Sequence, residues 1–168
     1  MRYIALVACL VALPSLGRVA TAAEPLPVPR GPVILTITGA IEQKNAPGEA
    51  RFDREMLESL GMASFTTSSQ VSKTPQKFEG IPLRAVLQRV GANGKAMHAV
   101  ALNAYEISIP FEDLRFEPIL ATHVDGQLLT MRDKGPLWIA YPRDAHRVLE
   151  DVRYDSRWVW QLHRLLIE

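Results

Sequence analysis

The residues best suited to chemistry lie in the stretch MRDKGPLWIAYP, residues 131–142. Two cations and a carboxylate precede a Gly-Pro turn, and an apolar segment with Trp138 and Tyr141 follows. Asp133 could accept two parallel N–H bonds from a guanidine-like edge, and a neighbouring aromatic face suits a flat, amide-bearing ring. The same pattern is typical of a solvated turn before a core strand, in which Lys134 contributes only charge. The sequence leaves both interpretations open, and we include Asp133, Lys134, Trp138 and Tyr141 among the candidate ligand contacts.

A run of four hydroxyls, TTSS at residues 66–69, is the second candidate. Hydroxyl runs commonly satisfy backbone groups of their own strand, which favours a polar edge strand. Alternatively, Thr67 and Ser68 would form a hydrogen-bonding wall for a polar heterocycle.

Near the C-terminus, RWVWQL places Trp158 and Trp160 two residues apart. In a strand both indoles would face the same side, either as a packed core corner or as a stacking clamp for a ring. We include Arg157 and Trp160 among the candidate ligand contacts. In LNAYEISIP, Asn103 and Tyr105 offer further polar contacts.

Several catalytic and binding classes are excluded or disfavoured by the sequence. The four histidines show no metal-binding spacing, and neither a G-x-S-x-G elbow nor a phosphate-binding G-x-x-x-x-G-K is present. The single cysteine, Cys9, lies in the apolar run after Arg2. Loss of that segment would leave no thiolate nucleophile, no cysteine-bound metal and no disulfide.

The N-terminal residues predict export. Residues 1–23 combine Arg2, a short apolar run and an A-x-A site, which predicts a cleaved signal peptide and a periplasmic protein without a membrane anchor. Lipidation at Cys9 is disfavoured because this residue lies inside the apolar run. Cleavage removes Arg2 and Arg18, two of the 19 basic residues, and leaves 17 against 18 acidic ones. Such a neutral domain argues against nucleic-acid binding.

The rest of the chain predicts one α+β domain. Residues 24–32 form a Pro-rich extended leader, and the domain occupies residues 33–168. A short helix is expected after Asp53, and a second after Pro82 in FEGIPLRAVLQRVGA, which carries apolar residues at helical spacing. Short strands dominate after residue 96, with a hairpin at Asp125-Gly126 and a last strand in RWVWQLHRLLIE.

Five motifs together resemble the oxidoreductase molybdopterin-binding domain of the sulfite oxidase family. They are VILTITGAI, FEGIPLRAVLQRVGA, ALNAYEISIP, DGQLLTMRDKGPLWIAYP and RWVWQLHRLLI. The resemblance as a whole extends over nearly the entire mature chain. The resemblance implies a mostly β fold with a few short helices, and a ligand in a cleft lined by loops at strand ends.

The chain departs from the catalytic members of that family at two places. Those members bind molybdenum through a cysteine in a strand-end loop that corresponds to residues 66–70 here, where hydroxyls and an amide stand instead. Hydroxyls are poor substitutes for a thiolate on a high-valent metal. Where catalytic members often carry an arginine toward the cofactor, this chain has Trp138. We therefore do not expect a molybdenum cofactor.

The chain looks most like small secreted relatives that include periplasmic pterin-binding sensors. The resemblance implies a non-catalytic protein that binds a reduced pterin and acts on the periplasmic region of a membrane protein that makes or degrades cyclic di-GMP. Two alternatives stay open: a molybdopterin-dependent oxidoreductase with a non-cysteine metal ligand, and a protein-binding domain whose pocket has degenerated.

Overall fold

The computed structural model describes residues 24–168, and the predicted signal peptide lies outside the described residues. Short strands dominate this part of the chain, as predicted. The strands are β1 Leu35–Gly39, β2 Ala50–Phe52, β3 Ala63–Thr67, β4 Gln76–Pro82, β5 Ala96–Ala101, β6 Glu106–Pro110, β7 Ile119–Val124, β8 Gln127–Leu128, β9 Trp138–Ala140 and β10 Leu162–Ile167. The α-helices are α1 Arg54–Glu58, α2 Leu83–Arg89 and α3 Val152–Asp155, and 3-10 helices occupy Phe111–Phe116, Arg143–Ala145 and Arg147–Glu150.

The strands form two sheets. The first has the order β2-β1-β10-β5-β6, in which β1 and β10 are parallel and the other neighbours are antiparallel. The second runs β3-β4-β7, and β8 and β9 pair with opposite ends of β7. The central pairing of β1 with β10 joins the first and last strands of the domain.

Both predicted helices are confirmed, with short lengths. Asp53 is the N-cap of α1, and its carboxylate accepts a hydrogen bond from the Met56 backbone N–H. Helix α2 begins directly after Pro82 and buries its apolar face. The buried residues at the predicted spacing are Leu83, Val86, Leu87 and, at the C-cap, Val90.

The predicted hairpin is also confirmed, between β7 and β8. Asp125 and Gly126 have φ values of 51° and 77°, and two successive positive values match a type I′ turn. The Asp125 carboxylate accepts hydrogen bonds from the Lys77 backbone N–H and the Gln76 side chain, which attaches the turn to β4.

The predicted start of the last strand is wrong. Strand β10 begins at Leu162, because Gln161 adopts a left-handed conformation with a φ of 51°. Trp158 and Trp160 therefore do not alternate with Val159 as they would in a strand. Trp158 and Val159 are both buried, whereas Trp160 is partly exposed.

The Pro-rich leader lacks helix and strand but is attached to the domain. Leu26 is buried in the core, and the Asp53 carboxylate accepts hydrogen bonds from the backbone N–H groups of Arg30 and Gly31. The leader carbonyls also bind side chains of the domain, as in the 3.0 Å contact from Arg89 Nη2 to the Pro25 oxygen. Within residues 24–168, no helix has the length and apolar character that a membrane crossing requires.

Candidate functional site

A cleft of ≈ 230 Å³ opens where strand ends from both sheets meet. This volume is just below the range of about 300 to 1,000 Å³ that is usual for small-molecule sites, and so suits a small ring. The walls come from the end of β5 and the loop after it, the loop after β3, and the segment between α3 and β10. The lining residues are Gln70, Ala101, Asn103, Tyr105, Asp155, Ser156, Trp158, Val159 and Trp160.

One wall of the cleft is held by hydrogen bonds from Tyr105. Its phenol donates to the Ser156 backbone oxygen at 2.9 Å, which joins the β5–β6 loop to the segment before β10. Its backbone N–H donates to Asn103 Oδ1 at 3.0 Å. Since that bond uses the oxygen of the Asn103 amide, the amide nitrogen is left to donate. Three residues predicted as ligand contacts, Asn103, Tyr105 and Trp160, thus lie together at the cleft.

Asp155 brings a carboxylate to the cleft that the sequence did not reveal. Its Oδ1 accepts a hydrogen bond from Arg143 Nη1, and Arg143 also donates to the Glu150 backbone oxygen. Among the described residues, Asp155 Oδ2 has no hydrogen-bond partner within the protein. The ion pair therefore fixes the carboxylate while leaving one oxygen uncommitted. No local motif marks Asp155, because its place at the cleft depends on the fold of residues 143–160.

The loop after β3 reaches the cleft through Gln70, and its hydroxyls are used elsewhere. Ser68 donates to the Asp144 carboxylate through its backbone N–H at 2.7 Å and its hydroxyl at 2.6 Å. Thr67 is buried, and its hydroxyl oxygen accepts a hydrogen bond from the Asp144 backbone N–H. These bonds lower the pKa of Asp144, with the Ser68 hydroxyl as the largest cause. Thr67 and Ser68 thus anchor the loop and lie outside the cleft.

The charged triplet of residues 132–134 lies in a turn outside the cleft. Asp133 accepts a hydrogen bond from the Thr130 hydroxyl at 2.8 Å, and its backbone N–H donates to the Thr130 oxygen. The Lys134 ammonium lies 5.4 Å from the centre of the Trp138 ring, a cation–π contact. Gln161 attaches this turn to the chain beside Trp160, with bonds to the backbone oxygens of residues 131 and 134. The structure therefore favours the turn interpretation of Asp133 and Lys134.

Trp138 and Tyr141 belong to the core, which corrects the expectation that they face a ligand ring. Their exposed fractions are 1% and 0%. Trp138 packs edge-on against Trp158 and Phe78, with ring centroids 5.8 and 5.2 Å away. Their aromatic surfaces are used in protein packing, so neither offers a face for stacking on a bound ring.

Arg157 is likewise part of an internal network. Its Nη1 lies 2.7 Å from both carboxylate oxygens of Asp113, which is buried, and its guanidinium stacks on Tyr154. The Tyr141 phenol donates to the same carboxylate at 3.0 Å. Burial, and then the negative charge of Asp113, raise the pKa of Tyr141. Arg157 therefore anchors the segment before β10 to Asp113 and lies outside the cleft.

The residues near the cleft do not fit a molybdenum cofactor. Among residues 24–168, no three His, Cys, Asp or Glu side chains come together as a site for a metal ion held by the protein alone. In the loop after β3, the buried Ser69 hydroxyl accepts hydrogen bonds from the backbone N–H groups of Val71 and Ser72. With Thr67 and Ser68 also engaged, this loop offers hard, hydrogen-bonded hydroxyls in place of a thiolate. We assign no metal-dependent step to these residues.

No protein-family model matches the sequence, and no curated protein matches it. Its fold matches those of 29 chains in solved structures. They include the sulfane dehydrogenase SoxCD from Paracoccus pantotrophus, with a TM-score of 0.61 and 19% sequence identity. The match covers 79% of this chain and 37% of that one, so this chain spans well under half of the dehydrogenase chain. The likeness confirms the predicted fold: a mostly β single domain of the sulfite oxidase type.

Proposed function

We propose that this chain is a non-catalytic, pterin-binding protein of the periplasm. The cleft carries the proposal, because its size and its polar groups suit a small amide-bearing ring and it offers no thiolate for a metal. The partly exposed Trp160 supplies an aromatic surface, and Gln70 and Asn103 supply amides for the ring's polar edge. The buried donors and acceptors of a bound ring need such partners, since each one lost costs about 1 to 3 kcal/mol.

The decisive experiment is the analysis of protein purified from its native host. The released ligand is identified by fluorescence and mass, and metals are measured in the same sample. We expect near-stoichiometric pterin and no molybdenum. Near-equimolar molybdenum would instead support the oxidoreductase with a non-cysteine ligand. Failure to retain or bind any pterin would support the protein-binding domain with a degenerate pocket.

A variant at Trp160 tests whether the cleft is where the ring binds. Trp160→Ala removes the partly exposed indole, and the loss of stacking and buried area should weaken pterin binding about tenfold in calorimetric titration. Phe65→Ala is a matched control, because Phe65 is also a partly buried aromatic residue, on β3, and does not line the cleft. Equal pterin affinity in the Trp160 variant and the wild type would place the ligand elsewhere.

The periplasmic partner is part of the same proposal. Exposed apolar side chains lie beside the cleft: Leu102 is flanked by two lining residues, Val71 follows Gln70, and Tyr105 itself is 42% exposed. Apolar side chains grouped in this way are typical of a protein-binding surface. The proposed partner is the periplasmic region of a membrane enzyme that makes or degrades cyclic di-GMP.

Regulation of that partner requires that pterin-loaded and pterin-free protein bind it with different affinities. Titration of the purified periplasmic region against both forms measures the difference. Leu102→Ser should weaken the contact without changing pterin affinity. Equal partner affinity of the loaded and free forms would refute a signalling role.

The proposed location has its own test. Fractionation of the native host should place the mature chain in the periplasmic fraction, with an N-terminus at residue 23 or 24. A chain that keeps residues 1–23 and stays in the cytoplasm would contradict it.

A further inference from the structure

We infer that Asp155 determines which pteridine the cleft binds, an inference that rests on the proposed pterin site. The cleft accepts pteridines with a 2-amino group and rejects those with a 2-oxo group. A pterin presents the 2-amino group and the neighbouring ring N–H side by side, which makes two adjacent donors. An uncommitted carboxylate oxygen accepts a hydrogen bond from the 2-amino group of this edge, and hydrogen bonds to an ionised group are the stronger kind.

Asp155 is prepared for this role by Arg143. The Arg143 guanidinium holds Oδ1, and the side chain of Asp155 keeps 23% exposure at the cleft. Arg143 is itself fixed, with an 11% exposed side chain and a second hydrogen bond to the Glu150 backbone oxygen. The carboxylate thus needs little reorganisation when a ligand arrives, which preserves affinity. Its Oδ2 is the acceptor left for the ligand.

The other polar groups complete the match to a 2-amino-4-oxo ring. The Asn103 amide nitrogen is left to donate, because the Asn103 oxygen already accepts the Tyr105 N–H. A donor suits the ring's 4-oxo group, and the Asp155 acceptor suits its amino edge. Lumazine, which has an oxygen in place of the 2-amino group, would set that oxygen against the Asp155 carboxylate. Specificity then arises from repulsion as well as from attraction.

Titration of pterin and lumazine against three forms of the chain tests the assignment. Wild-type protein should bind pterin at least about tenfold more tightly than lumazine. Asp155→Asn should lower pterin affinity about tenfold while lumazine affinity stays equal or rises, because the amide can donate to the 2-oxo group. Retained lumazine binding also shows that the variant is folded. Asp133→Asn is the matched control, since Asp133 lies in a turn outside the cleft.

The outcomes separate this inference from the proposed function. If the wild type and Asp155→Asn bind both rings equally well, the pterin site stands and the role of Asp155 is refuted. If Asp133→Asn, but not Asp155→Asn, loses pterin, the edge is bound by the carboxylate of the turn and the inference is also refuted. If the wild type binds neither ring, both the proposed function and the inference fail.

Discussion

The network of Asp113, Arg157 and Tyr141 makes the most quantitative prediction for this fold. Asp113 is 3% exposed and accepts hydrogen bonds from Arg157 on both oxygens and from the Tyr141 phenol. Asp113→Ala would leave the Tyr141 hydroxyl buried without a partner and the Arg157 charge uncompensated. Loss of one member of a fully buried ion pair costs about 3 to 5 kcal/mol. Because the Arg157 side chain keeps 21% exposure, we expect the lower end, about 3 kcal/mol.

Tyr141→Phe provides the contrasting perturbation. It removes one hydrogen bond but leaves Asp113 with both contacts from Arg157, so we expect a loss of about 1 kcal/mol. It conserves the ring that packs near Trp158 and Tyr154, and therefore opens no cavity. In the double variant the losses should fall short of additivity, because the bond between Tyr141 and Asp113 is counted in both single variants.

Urea unfolding followed by tryptophan fluorescence measures these free energies, with equal slopes as the condition for comparing them. The reasoning is refuted if Asp113→Ala costs less than Tyr141→Phe, or if the two losses add fully. Pterin affinity of Tyr141→Phe should equal that of the wild type, because Tyr141 is 0% exposed. A large loss of pterin affinity in this conservative variant would show that Tyr141 is part of the ligand site after all.

Three further predictions concern the same packing. The pKa of Tyr141 is raised by burial and then by Asp113. The protonated phenol therefore contributes its full stabilisation below pH ~10, and this stabilisation is lost as the pH rises further. The urea midpoint should fall at alkaline pH in the wild type, and Tyr141→Phe should make that fall smaller. Asp144→Ala should cost about 1 kcal/mol at pH 7 in thermal unfolding, because it removes both hydrogen bonds from Ser68 to an exposed, solvent-screened carboxylate. Since the pKa of Asp144 is lowered from 3.8, this cost should shrink as the pH falls below 3.8. A cost that is independent of pH would contradict that carboxylate's role. Gly80→Ala should cost about 3 kcal/mol or prevent folding, because a Cβ there would lie 2.1 Å from the Leu120 backbone oxygen. A variant as stable as the wild type would contradict the register of β4 with β7.

Patterns that depend on neighbouring residues were predictable from the sequence. The cap at Asp53, the apolar face of α2 and the Asp125-Gly126 hairpin each arise from backbone geometry within a few residues. The resemblance predicted the fold into which these elements assemble, and the structural likeness to SoxCD confirms that fold. The start of β10 was not predictable, because nothing in RWVWQL marks the left-handed Gln161. That conformation is accompanied by bonds to the distant residues 102, 131 and 134.

The candidate site, like the fold, was predictable only where it depends on nearby residues. Asn103 and Tyr105 were candidates because they offer polar groups in LNAYEISIP, and the structure places both at the cleft, in the loop between β5 and β6. The aromatic residues of MRDKGPLWIAYP were assigned to a ligand because a sequence does not distinguish a buried aromatic from a stacking one. Trp138 and Tyr141 are buried by partners far along the chain, Phe78 and Asp113.

The position of Asp155 explains why the turn of residues 131–136 looked like a binding site. A carboxylate beside an aromatic surface suits the proposed pteridine ligand, and the sequence places an aspartate five residues before a tryptophan twice: Asp133 with Trp138, and Asp155 with Trp160. In the first pair the indole is buried and the carboxylate closes its own turn. In the second pair both side chains reach the cleft, and Arg143 holds the carboxylate. Which of the two pairs faces the cleft depends on the ion pair between Arg143 and Asp155 and on the start of β10 at Leu162. Both features are consequences of the tertiary fold.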